Sequence, residues 1–107
     1  MLTITTKMVR PSTSVEFFVD DAFEQHRAEA YVNTGKLVQV SDATTDDGLI
    51  RTVVNQWTTR LDFTGWMADP VVVAYQAARR TYNASHGIVK TDEFEFVASE
   101  GDLPPSV

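Results

Sequence analysis

Two strand-forming runs, Leu37 to Ala43 and Leu49 to Leu61, flank Thr44-Thr45-Asp46-Asp47-Gly48, and this arrangement constrains the fold more than any other feature of the chain. Asp-Gly at such a junction is a strong hairpin signal, because the tight turns that match strand twist need positive φ, which Gly supplies. The central pair of a sheet is therefore predicted to be antiparallel. A third run lies at the N-terminus, where Leu2, Ile4, Thr6 and Met8 alternate with Thr3, Thr5, Lys7 and Val9 and stop at Arg10-Pro11. That is the period of a pleated strand. A fourth, Thr91 to Val97, alternates around Phe94 and Phe96.

Two helical segments fall between these strands. The first is expected from about Asp21 to Thr34, with acidic residues in its opening turn, Gly35 as its stop, and Phe23, His26, Ala30 and Tyr31 inward. Ser12 to Val19 reads equally well as helix or as extended connection. The second helical region comes in two pieces: a short turn capped by Asp62 and carrying Phe63 and Trp66, then a helix opened by Asp69-Pro70. Val71, Tyr75, Ala78 and Tyr82 lie at helical spacing and are expected on its inner face. Arg79, Arg80 and His86 are read as complements of the helix dipole, and Gly87 as the stop.

The element order is β-α-β-β-α-β, an α+β, ferredoxin-like pattern with a four-stranded antiparallel sheet and two helices on one face. Residues 1–98 form a single domain and 99–107, with Gly, Asp and Pro-Pro, a tail. Both faces of the strands carry apolar residues, with Leu49, Val53, Trp57 and Leu61 on one side of the third strand and Ile50 and Val54 on the other. Two helices cover one face. An apolar face of several hundred Å² left in water marks an interface. The economical partner is a second copy, packed sheet against sheet as a homodimer.

Composition narrows the chemistry. With no Cys, the chain has no disulfide, thiolate metal site or Cys nucleophile. Nine Lys and Arg against fifteen Asp and Glu give a formal charge of -6, which argues against nucleic acid and anionic membranes as partners. Neither a signal peptide nor an apolar run of membrane-spanning length is read from the sequence, so a cytoplasmic location is expected. Asp42, Asp46 and Asp47 lack calcium-loop spacing and read as a solvated hairpin tip. No phosphate loop, nucleophile elbow or His-Glu-x-x-His helix is present.

The segment from Arg60 through Leu61, Asp62, Phe63, Thr64, Gly65, Trp66, Met67 and Ala68 to Asp69-Pro70, followed by an Ala- and Arg-rich helix, resembles the dimeric α+β barrel family in its antibiotic-biosynthesis-monooxygenase-like branch. The resemblance spans roughly Leu2 to Val97. It implies a cavity between helices and sheet, and cofactor-independent oxidation or isomerisation of a small molecule. The position matching the haem ligand of the haem-degrading branch is Gln76, and Thr3, Thr5 and Thr6 stand where that branch has an Asn on strand one. No cofactor and no metal are therefore expected. Trp66 matches the family's Trp.

Among individual residues, His26 is the candidate acid–base group, since an imidazole titrates in the neutral range. Phe23, Trp66, Val71 and Tyr75 are the expected cavity lining. Asn55, between Val53 and Trp57 on a strand face, is an unexpected polar residue that needs a partner, in a ligand or a facing subunit. Trp57 is read as core, and His86 as a helix-end residue. The expected function is a homodimer that binds a small, largely apolar molecule and oxidises or isomerises it without a cofactor. The competing class is a noncatalytic binding or assembly module on the same fold.

Overall fold

The computed structural model describes residues 1–97. The elements are β1 (Leu2–Val9), α1 (Asp21–Arg27) running on into a π-helical turn at Ala28–Val32, β2 (Leu37–Thr44), β3 (Ile50–Trp57), α2 (Arg60–Ala68), α3 (Pro70–His86) and β4 (Val89–Phe96). The sheet has the order β2-β3-β1-β4 with every neighbour antiparallel. This is the ferredoxin-like arrangement expected from the element order, with the second helix split into two at Asp69. The expected tail, 99–107, lies outside the described residues.

The hairpin forms where the Asp-Gly signal places it. The Thr45 amide donates to the Ile50 carbonyl at 2.9 Å, and Gly48 takes φ 77°, the left-handed region that Gly tolerates best. Arg10 holds the turn from β1's end, its Nε donating to the Gly48 carbonyl at 2.7 Å. Residues 12–19 are irregular, which settles their ambiguity against a helix. Asp20 caps α1, which begins at Asp21 as expected: its Oδ1 accepts from the Phe23 amide at 3.0 Å.

The third strand is shorter than expected. It ends at Trp57, and Thr59 turns the chain into α2 by accepting the Asp62 amide on its side chain. Asp62 is thus inside the helix rather than at its cap. Leu61, expected on the strand's buried face, is 77% exposed on α2. The expectation failed because the apolar residues of a strand and of a following amphipathic helix form one continuous run in sequence.

The core lies between the helices and one sheet face. Leu2, Phe23, Tyr31, Leu37, Trp57 and Val72 form the buried cluster, with Ile4, Phe63, Trp66 and Tyr75 packed against it. Strand pairing puts Leu2, Trp57 and Leu37 in one cross-sheet row. Alternation sends Thr3, Thr5, Val54 and Gln56 to the opposite face, which no element among the described residues covers. A bulge at Val40 matters for the site. Before it, Leu37 and Gln39 pair opposite Trp57 and Asn55; after it, Asp42 pairs opposite Val53, so the extra residue moves Asp42 onto the helix-facing side.

Candidate functional site

The helices do not close down on the whole sheet face. Between them and the strands lies a cleft with two lobes, of about 320 Å³ and 330 Å³, that share Thr6, Arg27, Asn55, Trp66, Gln76 and Arg79 in their walls. Ligand cavities are ordinarily in this size range. The first lobe has an aromatic end built from Trp57, Phe63, Trp66 and Phe94. The second is bordered by Phe18, Phe23 and Tyr75, with Arg51 and Asp42 on its floor.

Aromatic packing sets the shape of both lobes. Phe23 and Tyr75 stack with ring centroids 3.6 Å apart and planes within 11°. Trp66 meets Phe23, Tyr31 and Trp57 at 5.6, 4.8 and 5.2 Å. Edge-to-face contacts at these distances are favourable beyond the area they bury. Trp66 is therefore the wall between the lobes and is fixed from three sides.

The polar lining is held by pairs. Arg27 donates to Gln39 Oε1 at 3.0 Å and Asn55 Oδ1 at 3.4 Å, with Glu24 at 3.8 Å. Asn55 thus has its partner within the chain. Arg51 grips Asp42 with two hydrogen bonds, 2.9 and 2.6 Å, which draw the Asp42 carboxyl below its ordinary pKa and raise that of Arg51. Burial alone would raise Asp92, but hydrogen bonds from Lys90 (2.5 Å) and Thr6 (2.6 Å) outweigh it, and its pKa falls. Asp42 is accordingly a cleft residue and not part of the hairpin tip, a consequence of the bulge. Asp46 and Asp47 stay in the turn, where Asp47 accepts from Thr45 and from the Leu49 amide.

Beside the cleft sits a second polar cluster. Asp69 caps α3 through Oδ1, which accepts the Val71 amide at 2.9 Å. Its Oδ2 accepts from the Tyr31 hydroxyl at 2.6 Å and lies 2.7 Å from His26 Nε2. The Tyr31 and His26 hydrogen bonds lower the Asp69 pKa to about 2, while burial and Asp69 itself push Tyr31 to about 12. An ionised carboxylate only accepts, so Nε2 is the protonated ring nitrogen and donates. The cluster ties α1 and its π turn to the start of α3.

Of the residues singled out from sequence, Phe23, Asn55, Trp66 and Tyr75 come together around the cleft. Two do not. Val71 is 45% exposed and borders neither lobe, because α3 turns Val72, fully buried, to the core instead. The inward side of α3 carries Val72, Tyr75, Gln76, Arg79, Tyr82 and Asn83, so of the expected Val71, Tyr75, Ala78 and Tyr82 the two tyrosines face inward while Val71 and Ala78 are exposed. His26 also borders neither lobe, and its Nε2 is committed to Asp69. The sequence reading missed Arg27, Gln76 and Arg79 as cleft residues. Arg27 follows Phe23 by four and Arg79 follows Val72 by seven, so helical spacing from a buried residue was the available signal.

Gln76 stands in the cleft wall, its Nε2 3.8 Å from Met67 Sδ. Among the described residues no three His, Asp or Glu side chains converge as a metal-binding set, and no helix is long and apolar enough to cross a membrane.

No family model and no curated protein matches the chain. Among solved structures it is similar to SnoaB, a cofactor-independent oxygenase from Streptomyces nogalater: 17% identity, TM-score 0.44, 96% of each chain covered. A single-residue variant of SnoaB gives 16% identity and TM-score 0.46 over the same share of each chain. At this level of likeness the chain's own strand order and register, not the neighbour, fix the assignment: an α+β chain of ferredoxin-like topology.

Proposed function

We propose that this protein binds a small, flat, largely apolar molecule in the cleft between its helices and sheet. The observation that carries the reading is the cleft itself: two lobes of about 320 and 330 Å³ beside a well-packed aromatic cluster, with Asn55, Gln76 and Thr6 in their shared wall. A fold serving only as a packing unit has no use for such space. Cofactor-independent oxidation or isomerisation is the reaction class that goes with the reading. The noncatalytic alternative, a binding module, is favoured by one observation: His26, the candidate base, lies outside the cleft with Nε2 engaged.

A thermal-shift screen of planar aromatic compounds tests binding without presupposing a reaction. A ligand at 100 times its Kd stabilises the folded state by about 2.7 kcal/mol, which is several degrees in Tm for a domain of this size. If no planar aromatic compound raises Tm, the proposal fails.

The open sheet face completes the proposal as the contact of a homodimer. Val9, Val38 and Val89 are exposed there, with Ile50 and Val54 between them. The expected sedimentation mass at micromolar concentration is twice 11.9 kDa. A monomer under those conditions would remove the dimer from the account and leave the cleft standing.

A further inference from the structure

The chain is acidic, yet its cleft is not. Five of its nine Lys and Arg side chains border the two lobes (Arg27, Arg51, Arg79, Arg80 and Lys90), against only three of its fifteen carboxylates, Glu24, Asp42 and Asp92. Concentrating cations in a partly enclosed, low-dielectric cleft focuses positive potential there against the sign of the whole molecule. Most of these cations already have partners: Arg51 has Asp42, Lys90 has Asp92, and Arg27 has Gln39, Asn55 and Glu24. Arg79 does not. It makes no hydrogen bond or contact ion pair among the described residues, although its charge acts on Asp92 in the same lobe, and its Nε is buried without an acceptor.

A buried N–H of a guanidinium left without an acceptor costs free energy, and such groups are rare enough to need an explanation. Arg79 sits over the Tyr75 ring, 5.1 Å from its centroid, with Tyr75 backed by Phe23. Stacking uses the guanidinium's face and leaves its edge free. Because no hydrogen bond holds the group, turning its Nε edge toward a ligand breaks none.

We propose that Arg79 anchors a monoanionic aromatic carboxylate, the ring lying in the first lobe among Trp57, Phe63, Trp66 and Phe94 and the carboxylate taking the Nε edge. The inference rests on the cleft being a ligand site and adds the class of ligand. A planar carboxylate fits the fork of one guanidinium with two parallel hydrogen bonds. Arg80, exposed on the next position of α3, adds attraction at the rim but no fixed geometry.

The test uses 2-naphthoate and its neutral isostere 2-naphthamide, titrated calorimetrically into the full chain at pH 7. The wild type is expected to bind the acid roughly 10- to 100-fold more tightly than the amide, the range of a charge-assisted hydrogen-bond pair. Arg79→Gln should abolish the preference, bringing the acid to the level of the amide. Arg80→Gln should leave the preference nearly intact. Arg79→Lys, which keeps the charge without the fork, should retain part of it. Should the Gln variant not fold, the Lys variant and the wild-type acid-to-amide ratio decide. Equal binding of acid and amide by the wild type overturns the anion anchor while the cleft stands as a ligand site. So does a preference that survives Arg79→Gln. Failure of both compounds to bind overturns the anchor and counts against the cleft itself.

Discussion

Trp57→Ala should destabilise the protein by about 3–5 kcal/mol, the range for truncating a large buried aromatic. Trp57 is 2% exposed and sits at the end of β3, where it pairs across the sheet with Leu2 and Leu37. Its ring touches three others, Tyr31, Phe63 and Trp66, at centroid distances of 5.7, 5.8 and 5.2 Å. Removing it joins the first lobe to the core and lets Trp66 lose one of its supports. Small domains hold only about 5–15 kcal/mol in all, so the variant should be near the edge of folding. Urea unfolding followed by far-UV circular dichroism measures the loss. A change below about 1 kcal/mol would mean that Trp57 is not core and that the aromatic wall of the cleft is wrongly assigned.

The second large effect is at Asp69. Asp69→Ala removes the N-cap of α3, worth about 1 kcal/mol, and strands the Tyr31 hydroxyl and His26 Nε2, which adds about 1–3 kcal/mol. The expected total is about 2–4 kcal/mol. Asp69→Asn should lose much less, because Asn caps as well as Asp and still offers an oxygen. The pH dependence follows from the signs. Asp69 has its pKa lowered from 3.8 to about 2, so its contribution is complete above pH 4 and disappears as the pH falls to about 2. Tyr31 has its pKa raised from 10.0 to about 12, so its contribution is complete below pH 10 and disappears as the pH rises to about 12. Urea midpoints measured across both windows should fall at each end. In Asp69→Asn the acid limb should be shallower. An identical acid limb in the variant would show that Asp69 is not the group responsible.

The sheet was legible in the sequence because strand alternation, Asp47-Gly48 and the Arg10-Pro11 stop are all local signals. So were the Asp69-Pro70 start of α3 and its Gly87 end, where φ is 71°. Three features were not legible, each for a physical reason. The bulge at Val40 leaves no mark in a run where Val38, Val40 and Ala43 are all compatible with a strand, yet it decides that Asp42 enters the cleft. The Asp69 cluster joins residues about forty positions apart, and nothing local to His26 or Tyr31 announces it. The face of α3 was right at Tyr75 and Tyr82 but wrong at Val71 and Ala78, because hydrophobic periodicity finds the most apolar stripe. A helix that lines an open polar cleft turns Gln76 and Arg79 inward and leaves Val71 and Val73 partly in water. The features that make the cleft a candidate site are thus the ones that mislead a reading based on apolar spacing.

The central claim is that the space between helices and sheet holds a small molecule. It is tested most directly by nitrogen-15 NMR of the labelled chain titrated with 2-naphthoate. The expected result is saturable shifts in the indole N–H of Trp66 and Trp57 and in the side-chain amides of Asn55 and Gln76, with Gln56 on the opposite sheet face unmoved. Shifts confined to Gln56 and the open face, or none at millimolar ligand, would contradict it.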